Sequence, residues 1–317
     1  MNFTVVTAAY NASATIDQTI RSVLGQSHAP IEVLVVDDGS TDDTFARLEA
    51  YRPRVTIFRT PNQGLSRSRN LLCAKARGEL IAFIDADDVW HPDYLATQAK
   101  LFTANPQAVA GFTRYTAFQD EADISWPEPS RDPAEVTELL APLEFFRRYN
   151  RSPVFFVPSC CCISNRIVAA MNHRPFPGVN QTAEDFYLFN VLPLHGPVFH
   201  CQTRLLGYRL TPNSMCADRL LNTARTLAAL KLLAEGGYRA PPAEFARPFA
   251  QIYASRRRRY AKHLLGVARP AEARAQIKLA LARPGGSFSL LNSIGLYCCS
   301  WLPKQFQFLW PGQFRDS

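Results

Sequence analysis

Apolar runs alternate with helix-spaced segments through the first 115 residues, and that alternation leaves few folds open. The runs are residues 3–6, 31–36, 55–58 and 80–84. Between them, residues 13–26, 42–51 and 65–77 carry apolar side chains at helical spacing. Strands that read as nearly continuous Val, Ile and Leu are buried on both faces, which predicts parallel strands covered by helices. Ser40 or Thr41 with Asp43 downstream offers N-cap chemistry to the second helix. Pro92 suits the first turn of a helix reaching Thr103.

Beyond residue 115 the pattern loosens. Residues 126–158 are rich in Pro and charge, with a helix expected near 143–149 and loops around it. Strand-like pieces return at 159–164, 198–201 and 205–210. From Met215 onward the spacing is helical, over 220–235, 243–265 and 271–282. The expected organisation is an α/β domain over residues 1–214 and a helical region over 215–317.

Two of the early strands run straight into acids. VLVVDDGSTDD sets Asp37 and Asp38 after residues 33–36, and IAFIDADD sets Asp85, Asp87 and Asp88 after residues 81–84. Ligands of open parallel sheets bind in the crevice beyond the carboxyl ends of the strands. Asp42 and Asp43 read as turn and cap residues. Asp85 and Asp87 do not, because residues i and i+2 of extended chain project to one side and present hard oxygens together. Such a pair suits Mg²⁺ or Mn²⁺ shared with substrate phosphates. Neither GxxxxGK[ST] nor GxGxxG occurs, so no glycine-rich phosphate cradle is expected.

With these motifs in view, VVTAAYNASATIDQTIRSVLGQS, IEVLVVDDGSTDDT and NQGLSRSRNLLCAKARGELIAFIDADDVWHPDYL together resemble the catalytic domain of glycosyltransferase family 2. The likeness is dense to about residue 105 and sparse to about 214. It implies a GT-A fold, a Rossmann-like, mostly parallel sheet flanked by helices, here with a C-terminal helical extension. It also implies inverting transfer from a nucleotide-diphosphate sugar, UDP-sugar favoured, to a glycan or lipid-linked saccharide acceptor. Cell-surface polysaccharide or lipopolysaccharide synthesis is the implied setting.

By the same resemblance, Thr7, Ala9 and Tyr10 line the nucleotide base, Asp38 contacts base or ribose, and Asp37 orients its loop. Arg69 contacts the nucleotide, Asp85 holds the ribose and Asp87 coordinates the Mn²⁺ or Mg²⁺. Asp88 supports from behind or caps the next helix. In QTAEDFYLFNVL, Asp185 is the implied general base and Glu184 its acceptor-orienting neighbour, at the start of a helix expected to be amphipathic. One position departs from the family: YRLTPNSM puts Thr211 where a histidine is common. His200 is a substitute with no motif to anchor it, and Arg209 and Ser214 are either phosphate contacts or strand-end residues.

Composition adds limits. The 317 residues carry a net charge of +8, which permits phosphorylated partners or an anionic membrane without choosing among them. The basic residues lack interleaved aromatics or a recognisable nucleic-acid module, so no nucleic acid is expected. The eight cysteines form no CxxC pair, which favours reduced thiols in the cytoplasm. The start MNFTVVTAAYN has no basic n-region, so no secretory signal is expected. Residues 285–302 are too short and polar to span a bilayer and read as an interfacial or core helix. The arginine run 256–259 reads as a solvated face or as a peripheral contact with the cytoplasmic membrane. Two further readings stay open, a catalytically silent relative that binds nucleotide or glycan, and a nucleotidyltransferase.

Overall fold

Strand β1 (Phe3–Ala9) is buried along nearly its whole length and forms the centre of the N-terminal half of the sheet. The computed structural model describes residues 1–120, 124, 126, 132–152, 156–178, 183–211, 218–235, 241–282, 293–298, 300 and 301. In chain order the first unit carries β1, α1 (Ile16–Leu24), β2 (Glu32–Asp37), α2 (Thr44–Glu49), β3 (Thr56–Arg59), α3 (Leu65–Cys73) and β4 (Leu80–Phe83). There follow β5 (Val89–Trp90), α4 (Tyr94–Ala104), β6 (Ala110–Phe118), β7 (Thr137–Leu140), α5 (Pro142–Arg151), β8 (Cys161–Ser164), α6 (Asn165–Ala170), α7 (Glu184–Val191) and β9 (Val198–Arg209). The chain divides into one compact unit of Met1–Asn180 with Glu184–Pro212, and a second of Gln181–Ala183 with Asn213–Ser317.

Among the described residues one sheet holds nine strands in the order β3-β2-β1-β4-β8-β6-β9-β5, with β7 added against β9. The pairs β1–β2, β2–β3, β1–β4 and β6–β9 are parallel, while β8, β5 and β7 pair antiparallel to their neighbours. Since β8 lies antiparallel between β4 and β6, six of the nine strands run one way. From β1 the chain steps outward through β2 to β3, then returns past β1 to β4. The strand order therefore reverses between β1 and β4, and in open α/β sheets that reversal opens a crevice at the strands' carboxyl ends. The tip of β1 and the acids after β4 stand on either side of it.

Several elements differ from their sequence reading. The pieces read at 198–201 and 205–210 belong to the single strand β9, which ends at Arg209 and whose register against β6 shifts at Phe112/Arg114 and Arg114/Tyr115. The shift absorbs extra residues and hid the continuity. Strands β5, β6 and β7 and helix α6 have no counterpart in the sequence pattern, β6 because Gly111 and Arg114 interrupt its apolar run. Helix α7 is not amphipathic: Phe186 to Val191 are all buried. The second helix shortens to six residues and its N-cap Asp43 makes no capping bond. Asp42 ties that end down instead, accepting from the Thr44 amide at 3.0 Å and the Ser13 amide at 3.1 Å. These bonds hold its carboxyl well below the usual range even though burial opposes them. Helix α4 starts at Tyr94, two residues past Pro92.

Close packing at the middle of the sheet is testable. Gly111 lies directly opposite Phe199, and a Cβ there would fall 2.0 Å from the ring. Gly111→Ala is expected to lower stability by about 1–3 kcal/mol or more, read by urea unfolding. Phe199→Leu in the same chain should recover part of the loss. An unchanged midpoint would mean the ring moves aside freely.

The second unit packs α8 (Arg219–Ala234) and α10 (Pro270–Leu281) against α9 (Ala243–Gly266). Ala261, Leu264, Leu265, Ala273, Ile277 and Leu296 form its core. The arginine run does not make one face. Successive helical residues turn by about 100°, so four in a row point four ways. Arg257 donates to Gln276 at 2.6 Å and to the Tyr253 hydroxyl at 2.8 Å, and burial lowers the pKa of Arg258. Among the described residues no helix is long and apolar enough to cross a membrane.

Candidate functional site

Strand β4 delivers the acid turn. Its four residues are all buried, and the Ile84 amide still bonds the Val6 carbonyl at 3.1 Å before the chain leaves the sheet. From there each backbone step is held from a different direction. Ser159 Oγ accepts from the Asp85 amide at 3.0 Å, and Thr15 donates to the Ala86 carbonyl at 2.9 Å. Arg209 Nε donates to the Asp87 carbonyl at 2.8 Å, and Thr19 to the Asp88 carbonyl at 2.8 Å. Helix α1, strand β9 and the turn before β8 thus fix one four-residue loop. That is the preorganisation a binding site requires of its supporting shell.

The three carboxylates have different surroundings. Asp88 is buried, with one oxygen accepting from the Arg209 amide at 3.0 Å. Burial and the charges of Asp85 and Asp87 push its carboxyl well up. It therefore links the acid turn to β9 and does not cap α4. Asp87 is half-buried; desolvation, then Asp85, push its carboxyl up to about 6. Asp85 gives one oxygen to Arg69 at 2.5 Å.

Arg69 is the least expected arrangement. It sits on α3, 3% exposed, and donates through one nitrogen to Asp85 and through the other to Glu184 at 3.0 Å. Its guanidinium also lies 5.4 Å from the centre of the Phe176 ring. Burial works against its charge, but Asp85 and Glu184 more than offset that and raise its pKa. The rest of SRSRN serves the same purpose. Ser66 accepts from the Gly178 amide, Arg67 donates to the Gly178 carbonyl, and Asn70 pairs with both backbone groups of Phe176. One short helix gathers the acid turn, residues 176–178 and the start of α7.

The acids of α7 owe their place to aromatic packing. Phe186 lies 5.7 Å from Tyr149, and Phe189 lies 4.9 Å from Phe112 of β6. With Phe145 and Phe156 these rings lock the helix against α5 and β6. Burial, then Asp185, push the Glu184 carboxyl up to about 7, against the pull of Arg69. Burial raises that of Asp185 too, while one of its oxygens accepts from the Phe186 amide at 2.6 Å.

Across the crevice, Thr7 and Ala9 lie buried within β1, and Tyr10 stands 51% exposed at its end. The loop after Tyr10 is fastened to the loop after β2. The Asn11 amide donates to Ser40, the Thr41 amide to Asn11, and the Ala12 amide to Thr44. Asp37 is fully buried, accepts from the Ser40 amide and pairs with Arg59 at 3.2 Å. Asp38 accepts from Thr60 and from the amides of Gln63 and Gly64. Its buried carboxylate thus organises the entry to α3, with both oxygens engaged there.

Two other residues lie elsewhere. His200 pairs with Phe112 in register, six β6 residues before Phe118, the partner of Arg209. That is roughly 20 Å along the strand from the acid turn, so it cannot replace the family histidine. Burial, with Arg114 and Arg148 nearby, lowers its pKa to about 4. Thr211 lies two residues past the end of β9, and Ser214 lies outside the described residues. Ser159, Thr15, Thr19 and Asn70 carry no local sequence signal; their partners lie up to 106 residues away.

Among the described residues no three His, Cys, Asp or Glu side chains converge on one point. The donor set still fits a hard divalent cation. Two carboxylates lie two residues apart, and Asp87 is forced upward by burial and a like charge that a cation would relieve. Mg²⁺-type ions commonly take one or two carboxylates and complete their shell with substrate phosphates.

The glycosyl transferase family 2 model matches residues 4–171, more than half of the chain. The chain belongs to that family. An uncharacterized glycosyltransferase of Nostoc sp. is 34% identical over 145 residues, covering 44% of each protein. A putative teichuronic acid biosynthesis glycosyltransferase, TuaG, of Bacillus subtilis is 37% identical over 116 residues, 35% of this chain and 46% of that protein. The matched segment thus spans less than half the length of either relative. The crystal structure of S. aureus TarS 1-349 in complex with UDP-GlcNAc aligns over 100% of this chain and 93% of its own, with TM-score 0.70 and 17% identity. A mannosyltransferase of Pyrobaculum calidifontis in complex with GDP-Man and Mn²⁺ aligns over 96% of this chain and 82% of its own, with TM-score 0.56 and 18% identity. These likenesses establish the GT-A fold.

Proposed function

We propose that this protein is an inverting glycosyltransferase that moves a sugar from a nucleotide diphosphate, UDP for preference, to a hydroxyl of a glycan or lipid-linked saccharide. The observation that carries the reading is the acid turn 85–88. It is fixed by four backbone hydrogen bonds at the strand-order reversal and joined through buried Arg69 to a second acid pair on α7. The likeness to TuaG, a putative teichuronic acid biosynthesis glycosyltransferase, supports a cell-surface polysaccharide as the product. The buried free thiols Cys73, Cys160, Cys161, Cys162 and Cys201 support a reducing, cytoplasmic setting.

In this reading Tyr10 stacks on the base, Thr7, Ala9 and Asp38 shape its pocket, and Asp85 holds the ribose. Asp87 would hold Mn²⁺ or Mg²⁺, which supplies a Lewis acid for the charge of the leaving diphosphate. Asp185 accepts the acceptor hydroxyl's proton as that oxygen attacks the anomeric carbon. The bond to the diphosphate breaks on the opposite side, and its electron pair leaves with the phosphate. Arg69 contributes as a positioning residue, holding Asp85 and Glu184 at fixed separation.

Titration calorimetry with UDP, dTDP, GDP and CDP, each with and without Mn²⁺, tests the donor site. One diphosphate should bind only with the metal, and Asp87→Ala should weaken that binding at least tenfold while the fold is retained. Absence of binding to all four would sink the enzyme reading. A catalytically silent relative, which Thr211 favours by its poorer metal-binding group, would instead bind nucleotide without transferring sugar.

A further inference from the structure

The net positive charge of this chain comes from its second unit. Residues 213–317 hold 16 Lys and Arg against 5 Asp and Glu, a net +11, whereas residues 1–212 hold 19 against 22, a net −3. Beside that charge lies an apolar ridge. Residues 293–298 are helical, and Leu296 turns inward to the core of α9 and α10. Ile294, Cys298 and Trp301, at i, i+4 and i+7, face outward, Ile294 47% and Trp301 64% exposed. Arg274 of α10 stands over the Trp301 ring at 4.1 Å and donates to the Ser300 carbonyl at 3.0 Å. Lys278, one turn further along α10, is exposed, as is Leu279. The one acid of α10, Glu272, is neutralised by Arg269 at 2.5 Å.

An uncharged ridge with an outward tryptophan, flanked by cations that have no acidic partner among the described residues, is what the boundary of an anionic bilayer accommodates. Apolar side chains enter the headgroup region while basic ones meet lipid phosphates. We propose that this face of the second unit docks on an anionic lipid surface. Ile294, Cys298 and Trp301 form the inserted ridge, Arg274 and Lys278 are its phosphate partners, and the remaining net charge attracts at longer range. The proposal relocates membrane contact from the arginine run, whose members point apart, to the neighbouring surface. It holds independently of which donor the first unit takes.

Co-sedimentation of the full chain with vesicles of phosphatidylcholine, with and without about 30% phosphatidylglycerol, is the test. The wild type should bind the anionic vesicles and release in high salt, since charge attraction is screened. Trp301→Ser with Ile294→Ser, both exposed and expected to keep the thermal melt, should weaken binding about tenfold, and Lys278→Ala about fivefold. Asp87→Ala should bind vesicles like the wild type, so this proposal and the catalytic reading can fail separately. No anionic-vesicle binding, equal binding to neutral vesicles, or undiminished binding by the ridge variant would each overturn it.

Discussion

Asp185→Asn is expected to abolish sugar transfer, lowering kcat by about 10²–10⁴-fold, while leaving metal-dependent diphosphate binding unchanged. Asparagine preserves the shape of the side chain and can still accept from the Phe186 amide, the bond that fixes the aspartate in place. What it cannot do is take a proton. The loss should fall on kcat, because the acceptor proton moves only as the new bond forms. Glu184→Gln is the contrasting variant, since Glu184 already lends an oxygen to Arg69 and its removal disturbs position before chemistry. Near-normal turnover of Asp185→Asn, with Glu184→Gln inactive, would move the base to Glu184.

The same carboxyls set the pH profile. Burial raises both Asp185 and Glu184, the latter to about 7. A general base works only when ionised, so the rate should fall as pH drops through this raised range. The acid limb therefore belongs nearer neutrality than the ordinary carboxylate region. A pH–rate profile of wild type, flat down to pH 4.5, would contradict the buried-base assignment.

How much of this was legible in the chain depends on the range of the contacts. The strand–helix alternation over residues 1–104 emerged because each element there buries a local period: β4 is all apolar, and Ile16, Ile20 and Val23 mark the inner face of α1. The two acid clusters were visible for the same reason, as charge placed abruptly after an apolar run. Strand β6 was not, because its residues serve a mixed surface and Gly111 is small only to admit Phe199 from the neighbouring strand. The hydrogen bonds that immobilise residues 85–88 come from Thr15, Thr19, Ser159 and Arg209, ordinary residues whose role exists only once the sheet has formed. Arg69 was visible as a site residue, but its partners were not. A motif marks where a side chain matters, whereas its burial and its two acids follow from tertiary packing.

Arg69→Met should be the most destabilising single change in the site, by about 3–5 kcal/mol at pH 8, because it strips the shared cation from two carboxylates that remain in place. The pH dependence separates this cause from lost packing over Phe176. Glu184 has a folded-state value raised above the ordinary carboxylate range to about 7, so the folded chain holds that proton more tightly than the unfolded chain. Stability from such a group is fully present below its unfolded value and is lost as pH rises through the folded one. Arg69 lowers the Glu184 value, so removing it moves the titration upward and deepens the loss above neutrality. The deficit measured by urea unfolding should then shrink markedly between pH 8 and pH 5. Adding Glu184→Gln should recover much of it at pH 8. Arg69→Lys should rescue poorly, since a single ammonium cannot span both acids as the guanidinium fork does. An equal deficit at both pH values would assign the loss to packing alone and remove the electrostatic role of Arg69 in holding Asp85 and Glu184 together.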